Sequence, residues 1–457
     1  MTHRVLIIGG GISGLSAAYY LNKSGIRPTL LERAPRLGGV IQTGVESGCV
    51  LEAGPDGFMA AKPWAMELIK EVGLAGEIIG SNDHSRVTYI IKHGKLVPLP
   101  DGLMMMVPTK IMPLVATSLF SWPAKIRMGF DLFRRPKGPQ PDRSVYDFLM
   151  DHYGRECIDY LAEPLLAGVY GGDPKQMSVN SVLARFAEIE AKYGSLTRGV
   201  LAAPKPPKSS SGPKSFLWTL KSGLGQLIDA LKPSADVLRG TAETIERSGS
   251  GFRVRAGGEW IEADQVVLAT TAVDGARVLR PLHNELADLL AAIPYTSSIT
   301  LALGYRKEGF DHPLNGHGFL VPKLERKYLM GCTWVGNKFN YRVPDDLVLL
   351  RCFIGGNGLA LDDEALVAAA REELRSLMGI QSVPIFSRVA RWPDAMAQYT
   401  VGHQKRVERV DAIVAGIPGL YLAGNAYRGI GIPDCVKTGK EAATRIVASC
   451  SSTLQPA

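Results

Sequence analysis

Three glycines near the start of the chain leave it few folds to choose from. Gly9-x-Gly11-x-x-Gly14 follows four apolar residues, Val5-Leu6-Ile7-Ile8, and precedes a stretch with helical spacing. In this context the glycines permit a tight strand-to-helix turn and let backbone approach a pyrophosphate. The helix N-terminus behind them offers free N–H groups and a partial positive charge to an anion. The spacing predicts a strand over 4–8, a helix over 15–21 stopped by Gly25, and a second strand over 29–32. Glu32, 18 residues past Gly14, then ends that strand where a carboxylate accepts hydrogen bonds from an adenosine ribose. Gly9, Gly10, Gly11, Ile12, Ser13, Gly14 and Glu32 are the first candidate cofactor-binding residues.

The residues beyond Glu32 point to a flavin dinucleotide rather than a nicotinamide one. Arg33 and Gly38-Gly39-Val40 extend the turn with a second bare stretch of backbone, and Gly54-Pro55-Asp56-Gly57 adds another. Near the other end, a strand runs into Leu422-Ala423-Gly424-Asn425, followed by Gly429-Ile430-Gly431-Ile432-Pro433-Asp434. That late strand and helix N-terminus suit the ribityl chain and the pyrimidine end of a flavin. Gly424, Asn425, Ile430, Gly431 and Ile432 join the candidate set, and the cofactor expected is non-covalent FAD.

Composition narrows the partners. The chain has 457 residues, room for two or three domains, with 46% hydrophobic and 21% charged residues, an ordinary globular balance. A net charge of +8 permits attraction to an anionic membrane face or an acidic substrate. No dense Lys/Arg stripe interleaved with aromatics is present, so nucleic acid is not an expected partner. The cysteines at 49, 157, 332, 352, 435 and 450 and the scattered histidines lack metal-ligand or C-x-x-C spacing. That predicts free thiols in a reducing cytosol and no metal site. No leader is read ahead of the first strand, and no run of 18 apolar residues predicts a spanning helix.

The dinucleotide fold is not contiguous. A β-rich zone at 251–271 holds a predicted strand at 265–269, and a strand at 419–423 with a helix at 436–449 closes the chain. Between them, 144–200 has helical texture, 299–305 and 347–354 read as strands, and 362–378 reads as a helix. Residues 85–89 read as a strand opening a hairpin, and 204–213 (PKPPKSSSGP) as an exposed connector. Residues 102–135 set Met104-Met105-Met106, Leu114, Leu119, Phe120, Trp122 and Phe130 beside Lys110, Lys125, Arg127, Arg134 and Arg135. Such a segment suits a surface dipping into one leaflet, with Leu114, Leu119 and Phe120 among the inserting side chains. The competing reading is a buried helix pair between domains.

Four blocks carry a family resemblance that runs nearly end to end: residues 9–15 (GGGISGL), Glu163-Pro164 with 168–174 (GVYGGDP), 318–322 (GFLVP) and 427–435 (YRGIGIPDC). The chain resembles the oxygen-dependent, FAD-containing protoporphyrinogen/coproporphyrinogen oxidases of bacteria. The resemblance implies an α/β fold in three parts. A Rossmann-like FAD domain would comprise 1–80, 225–285 and 390–457. A sheet-based substrate domain would comprise 81–95, 206–224 and 286–389, and a helical membrane-binding domain 96–205. It also implies a six-electron aromatisation of a porphyrinogen in two-electron steps, with O2 as acceptor and H2O2 as product, in heme biosynthesis. The macrocycle would occupy an apolar slot with few polar groups. By the same resemblance Gly168 and Gly172 line the pocket opposite the flavin, Leu320 and Phe353 sandwich the macrocycle, and Arg86 pairs with a propionate. Glu163 is read as a helix-start residue. Arg86 favours protoporphyrinogen IX, with coproporphyrinogen III the alternative; a different amine-oxidase-like flavoenzyme, or a flavin-bearing binding protein, would leave the 163–174 and 427–435 blocks unexplained. Expected partners are the inner face of the cytoplasmic membrane, a downstream chelatase and a second copy of the chain.

Overall fold

The computed structural model describes residues 3–202 and 215–452, so the 204–213 connector lies outside the described residues. The chain is mixed α/β and forms two compact units, neither contiguous in sequence. One comprises residues 1–81, 215–295 and 405–457; the other comprises 82–214 and 296–404.

The first unit is built on five parallel strands in the spatial order Asp236–Arg239, Thr29–Glu32, Val5–Ile8, Gln265–Leu268, Leu420–Leu422. Numbered along the chain this is 3-2-1-4-5, the order of a Rossmann half. The sequences VLII, TLLE and QVVL are near-continuous apolar runs because both sheet faces are covered. Helix Ile12–Lys23 packs beside the closing helix Ile432–Ser452, and the two approach so closely that a side chain at Gly439 would overlap the carbonyl oxygen of Ser13. Both helices run longer than their apolar periodicity predicts, because each begins at once from its glycine turn.

The second unit holds a seven-stranded sheet in the order Phe386–Ala397, Tyr295–Arg306, Leu347–Ile354, Leu329–Trp334, Gly318–Leu320, Thr88–Lys92, Lys95–Pro98. Side chains alternate between its faces. One face, with Leu301, Leu303, Phe319, Cys332, Leu350 and Cys352, buries against Leu366, Ala370 and Leu374 of helix Asp363–Met378. That helix starts where predicted: Asp362 caps it by accepting from the Ala365 amide at 2.8 Å, and Gly379 ends it at φ +73°.

Helices from 111 to 202 form the rest of this unit around Phe148, Leu149, Leu161 and Leu196. Their centre is not wholly apolar. His152 is fully buried between two carboxylates, its Nδ1 2.5 Å from Asp131 Oδ1 and its Nε2 3.0 Å from Glu190 Oε1. Asp131 also accepts from Ser195 Oγ and the Thr197 amide, both at 2.9 Å. Arg143 bonds Glu190 at 2.6 Å and Asp151 at 2.5 Å. Despite burial, these hydrogen bonds and charges hold His152 above its ordinary pKa, and Asp131 and Glu190 below theirs.

The 102–135 segment splits along its length. Leu114, Leu119 and Phe120 face inward, the last two at 0% and 3% exposure, so the expectation that they insert into a leaflet is corrected: they are core. The opposite side of the same short helices exposes Ile111, Met112, Trp122, Ile126, Phe130 and Phe133, with Trp122 at 63% and Phe133 at 78%. Among the described residues no helix is long and apolar enough to cross a membrane.

Candidate active site

The cofactor cradle gathers at the carboxyl ends of the parallel strands, where ligands of open α/β sheets bind. Each glycine of the turn has its own steric reason. A side chain at Gly14 would overlap the Gly9 carbonyl oxygen, and one at Gly9, which sits at φ +107°, would come within 2.5 Å of the Ala269 oxygen. Gly11 differs, since a Cβ there meets nothing within 4 Å. Its side faces open space, the room a pyrophosphate needs beside the helix N-terminus. Ile12 and Ser13 are buried, so any contact they make to a ligand at this turn is through backbone.

Glu32 stands where the sequence placed it. Its carboxylate accepts from the Gly10 amide at 2.6 Å and the Ala34 amide at 2.7 Å, so it braces the glycine turn. Gly38 donates to the Gly10 carbonyl at 2.8 Å, laying the Gly38-Gly39 stretch alongside Gly11. Val40 is exposed beside it, and a side chain at Gly54 would overlap the Val40 carbonyl oxygen, which ties the 54–57 turn to the same place. Arg33 is not aimed into the cradle: it is largely exposed and bonds Asp274 at 3.1 Å. The arginine that shapes the site is Arg36, which donates to the carbonyls of Leu37, Gly39 and Ile41 and so holds the glycine stretch open.

At the far side of the cradle Gly424, at φ +139°, donates to Thr438 Oγ1 at 3.1 Å, and Asn425 follows it. Ile430, Gly431 and Ile432 lead into the closing helix, whose first turn carries Asp434. Lys62 grips both Asp434 oxygens at 2.7 and 2.6 Å. Through the pairing of Ile12–Lys23 with Ile432–Ser452, two helix N-termini open onto one region, a favourable field for a diphosphate and for an electron-rich ring edge. The bare backbone, the room at Gly11 and the Glu32 carboxylate fit FAD. Arg36, Thr438 and Lys62 were not singled out by sequence, because their roles depend on partners that only folding supplies.

The substrate candidates lie in the second unit, and the sheet brings three of them together. Across four strands the register runs Leu320, Gly331, Phe353, Thr300, so their side chains share the sheet face away from helix Asp363–Met378. Leu320 and Phe353 are half-buried there, with glycine at the position between them. The Arg351 guanidinium sits 4.7 Å from the Phe353 ring centroid. Helix Glu163–Tyr170 lies over the same face, and Gly168 points at Leu320: a Cβ there would be 3.2 Å from Leu320 Cδ2. Gly172 stands beyond the end of this helix, after Gly171 at φ +61°, and abuts buried Gln398, whose Nε2 donates to the Tyr170 carbonyl at 2.7 Å.

Arg86 is not part of this group. It is exposed at the end of a one-turn helix, Asp83–Ser85, and the strand begins at Thr88, which corrects the expectation of a strand from 85. Ile90 is the residue level with Leu320, and Arg86 lies four residues before it, outside the strand. Glu163 is not a helix-start residue, which corrects that expectation: a helical run from Arg155 passes through a π-turn, Ile158–Ala162, straight into helix Glu163–Tyr170. There Glu163 is a buried acid that accepts from Arg326 at 2.9 Å and from the Lys323 amide at 2.9 Å.

Comparison with known proteins agrees with this geometry. The family model described as flavin containing amine oxidoreductase matches residues 12–447. The chain is 32% identical over 96% of its length to a coproporphyrinogen III oxidase of Bacillus subtilis (strain 168), covering 96% of that protein. It is 27% identical over 96% of its length to the chloroplastic protoporphyrinogen oxidase of Nicotiana tabacum, covering 85% of it. A crystal structure from Exiguobacterium sp. 255-15, bearing a provisional protoporphyrinogen oxidase name, superposes with a TM-score of 0.88 at 30% identity, covering 98% of this chain and 99% of that one. With glycine turns, acid and paired helix N-termini disposed for FAD, and with these relatives matched end to end, this chain belongs to the flavin-containing amine oxidoreductases, in the group of the porphyrinogen oxidases.

Proposed function

We propose that this protein uses FAD to oxidise a porphyrinogen to the porphyrin, with coproporphyrinogen III as the preferred substrate and O2 as the terminal acceptor. The observation that carries the reading is the end-to-end similarity to the Bacillus subtilis enzyme, at higher identity than to the tobacco one. Bound FAD supplies the two-electron acceptor. The chain's own contribution is to bind and orient. The 1–81, 215–295 and 405–457 unit holds the dinucleotide, and the Leu320–Gly331–Phe353 row offers a flat apolar macrocycle a half-open face. Gly168 keeps a side chain out of that space while Gly172 makes room for Gln398 behind it, and Arg86 is an exposed partner for a carboxylate at its margin. Protoporphyrinogen IX is the second reading, favoured by the names of the tobacco and Exiguobacterium relatives.

The helical part would dock on the cytoplasmic face of a membrane through the exposed Trp122, Phe130 and Phe133, with Lys125, 4.7 Å from the Trp122 ring, near the headgroups. Delivery of product to a chelatase and pairing of two copies belong to the same proposal. The test is a comparison of anaerobic flavin reduction and aerobic porphyrin fluorescence with the four-propionate and two-propionate substrates on one preparation. A faster rate with coproporphyrinogen III is expected. A faster rate with protoporphyrinogen IX overturns the substrate choice, and bleaching by neither overturns the function.

A further inference from the structure

The connection between strands Gly318–Leu320 and Leu329–Trp334 is short, yet it is bonded on several sides. Arg326 donates through NH2 to both oxygens of Glu163, at 2.9 and 3.2 Å, and to the Val321 carbonyl at 2.9 Å. Both partners are largely buried, with side chains 17% and 10% exposed. The Lys323 amide adds a bond to Glu163, and Lys323 Nζ lies 3.3 Å from Asp173, just past the other end of the same helix. The carboxylate of Glu325 accepts from the His93 and Gly94 amides of the neighbouring hairpin turn, at 2.7 and 3.3 Å. Glu373, from helix Asp363–Met378, receives the Tyr328 and Leu329 amides at 3.2 and 3.1 Å. The loop is therefore fixed to the sheet side of the unit by Glu325 and Glu373, and to helix Glu163–Tyr170 by Arg326 and Lys323.

The consequence is geometric. Helix Glu163–Tyr170 meets the sheet through a glycine, Gly168, which has no side chain to set the spacing against Leu320. Elsewhere the helix is held by side chains, Leu166 among them, packed in the same apolar cluster as Ile90 and Leu320. At Gly168 itself the spacing must be set by neighbouring ties. The Glu163–Arg326 pair lies five residues, one and a half helical turns, before Gly168, and it bonds the carbonyl of the residue directly after Leu320. One end of the pair is rooted in the helix and the other in the loop that leaves the strand at Leu320.

We propose that Glu163 and Arg326 are positioning residues for substrate: their ion pair sets the separation of Gly168 from Leu320, and hence the width of the apolar face that receives the macrocycle. This rests on the porphyrinogen reading above. Neither side chain is assigned a contact with the reacting atoms. The arginine fork, which reaches a carboxylate and a carbonyl together, is what the geometry uses, and lysine cannot reproduce it.

The test is a steady-state and binding comparison of R326A, R326K, E163Q and G168A with the wild-type holoenzyme, using whichever porphyrinogen the wild type oxidises faster. R326A is expected to raise KM, and the Kd for the product porphyrin, about tenfold while kcat changes by less than about threefold. R326K should recover only part of the loss and E163Q should fall between, with FAD content equal to wild type in all. The decisive measurement is the double-mutant cycle of R326A with G168A. If the pair acts through the Gly168–Leu320 spacing, the two effects on Kd couple by more than about threefold; if it is only a brace for the fold, they multiply independently. Independence, or an unchanged KM and Kd in R326A, overturns the proposal. Should R326A fail to fold, the same cycle run with R326K and G168A decides it by the same criterion. A wild type that oxidises neither porphyrinogen would instead remove the functional reading, and that result is seen before any variant is made.

Discussion

The charged centre of the helical region makes a quantitative demand. In His152→Ala the carboxylates of Asp131 and Glu190 lose the cation between them, and only Glu190 keeps another, Arg143. Removing one member of a buried ion pair costs about 3–5 kcal/mol, because the remaining charge stays desolvated. Asp131→Asn should cost less, about 1–3 kcal/mol. Its amide can still accept from Ser195 Oγ and the Thr197 amide, and can donate to Nδ1 of a neutral imidazole that in turn donates from Nε2 to Glu190. The assay is native-state hydrogen exchange of the helices between 144 and 202, which reports local opening without requiring the whole chain to unfold in one step. His152→Ala should lower protection by about two to four orders of magnitude, at 1.36 kcal/mol per tenfold. The pH dependence comes from the signs of the shifts. His152 is raised, so its contribution is complete below its unfolded value of about 6.5 and fades as pH rises through the higher folded value. Asp131 and Glu190 are lowered, so theirs is complete above about 4 to 4.5 and fades in acid. Arg134 opposes the charge on His152, and Arg143 holds Glu190 ionised, so neither reverses these signs. Wild-type protection should therefore be greatest between about pH 5 and 6.5 and decline above it, and His152→Ala should lose the alkaline decline. Parallel profiles for the two proteins from pH 6 to 9, or a loss below 1 kcal/mol on the alanine change, would refute the charged-histidine account.

Two further outcomes discriminate between neighbouring residues. Gly11→Val should fold normally and purify colourless, because its side chain enters space kept for the pyrophosphate, whereas Gly14→Ala should also lose thermal stability through overlap with the Gly9 carbonyl; FAD content by absorbance and melting temperature separate the two. Replacing Trp122, Phe130 and Phe133 with serine should abolish sedimentation with anionic vesicles while leaving the melting temperature within a few degrees, whereas Phe120→Ser should destabilise the unit by about 3–5 kcal/mol, the scale of emptying a buried aromatic site; retained vesicle binding in the triple variant would remove that face from the membrane proposal.

The parts of the fold legible in the sequence are those that local pattern encodes. The glycine spacing at 9–14 implies a strand, a turn and a helix N-terminus, and all three are found. The apolar stretch at 347–354 and the capped one at 362–378 fold within a residue of their expected limits. Texture along 102–135 told that the segment was apolar, but not which residues faced inward, because six- and eight-residue helices broken by turns keep no single period. Leu114 and Met112, two residues apart, end on opposite sides. The row from Leu320 through Gly331 to Phe353 exists only once strand register is set. Arg326 meets Glu163 across 163 positions, and His152 meets Asp131 and Glu190 across 21 and 38. Such partnerships leave no periodic trace in a single sequence. Arg33 lies next to Glu32 in sequence but bonds Asp274, whereas Arg36, three residues on, turns back onto the glycine carbonyls.

The strand order of the first unit also bears on how the protein is made. Val5–Ile8 lies at the centre of its sheet, with Gln265–Leu268 on one side and Leu420–Leu422 one strand further out. During synthesis Val5–Ile8 soon gains Thr29–Glu32 on one edge but must wait more than 250 residues for Gln265–Leu268 on the other, and more than 400 for helix Ile432–Ser452 to cover Ile12–Lys23. The segment 82–202 is complete long before then and can begin to collapse on its own local contacts. One edge of that apolar strand meanwhile stays unpaired, a hazard for mispairing until Gln265–Leu268 arrives. Dinucleotide capture is thus a late event in the life of each molecule. A ribosome that stops short of residue 420 releases a chain with its exposed apolar face already made and its cofactor cradle unfinished, a product better suited to aggregation than to turnover.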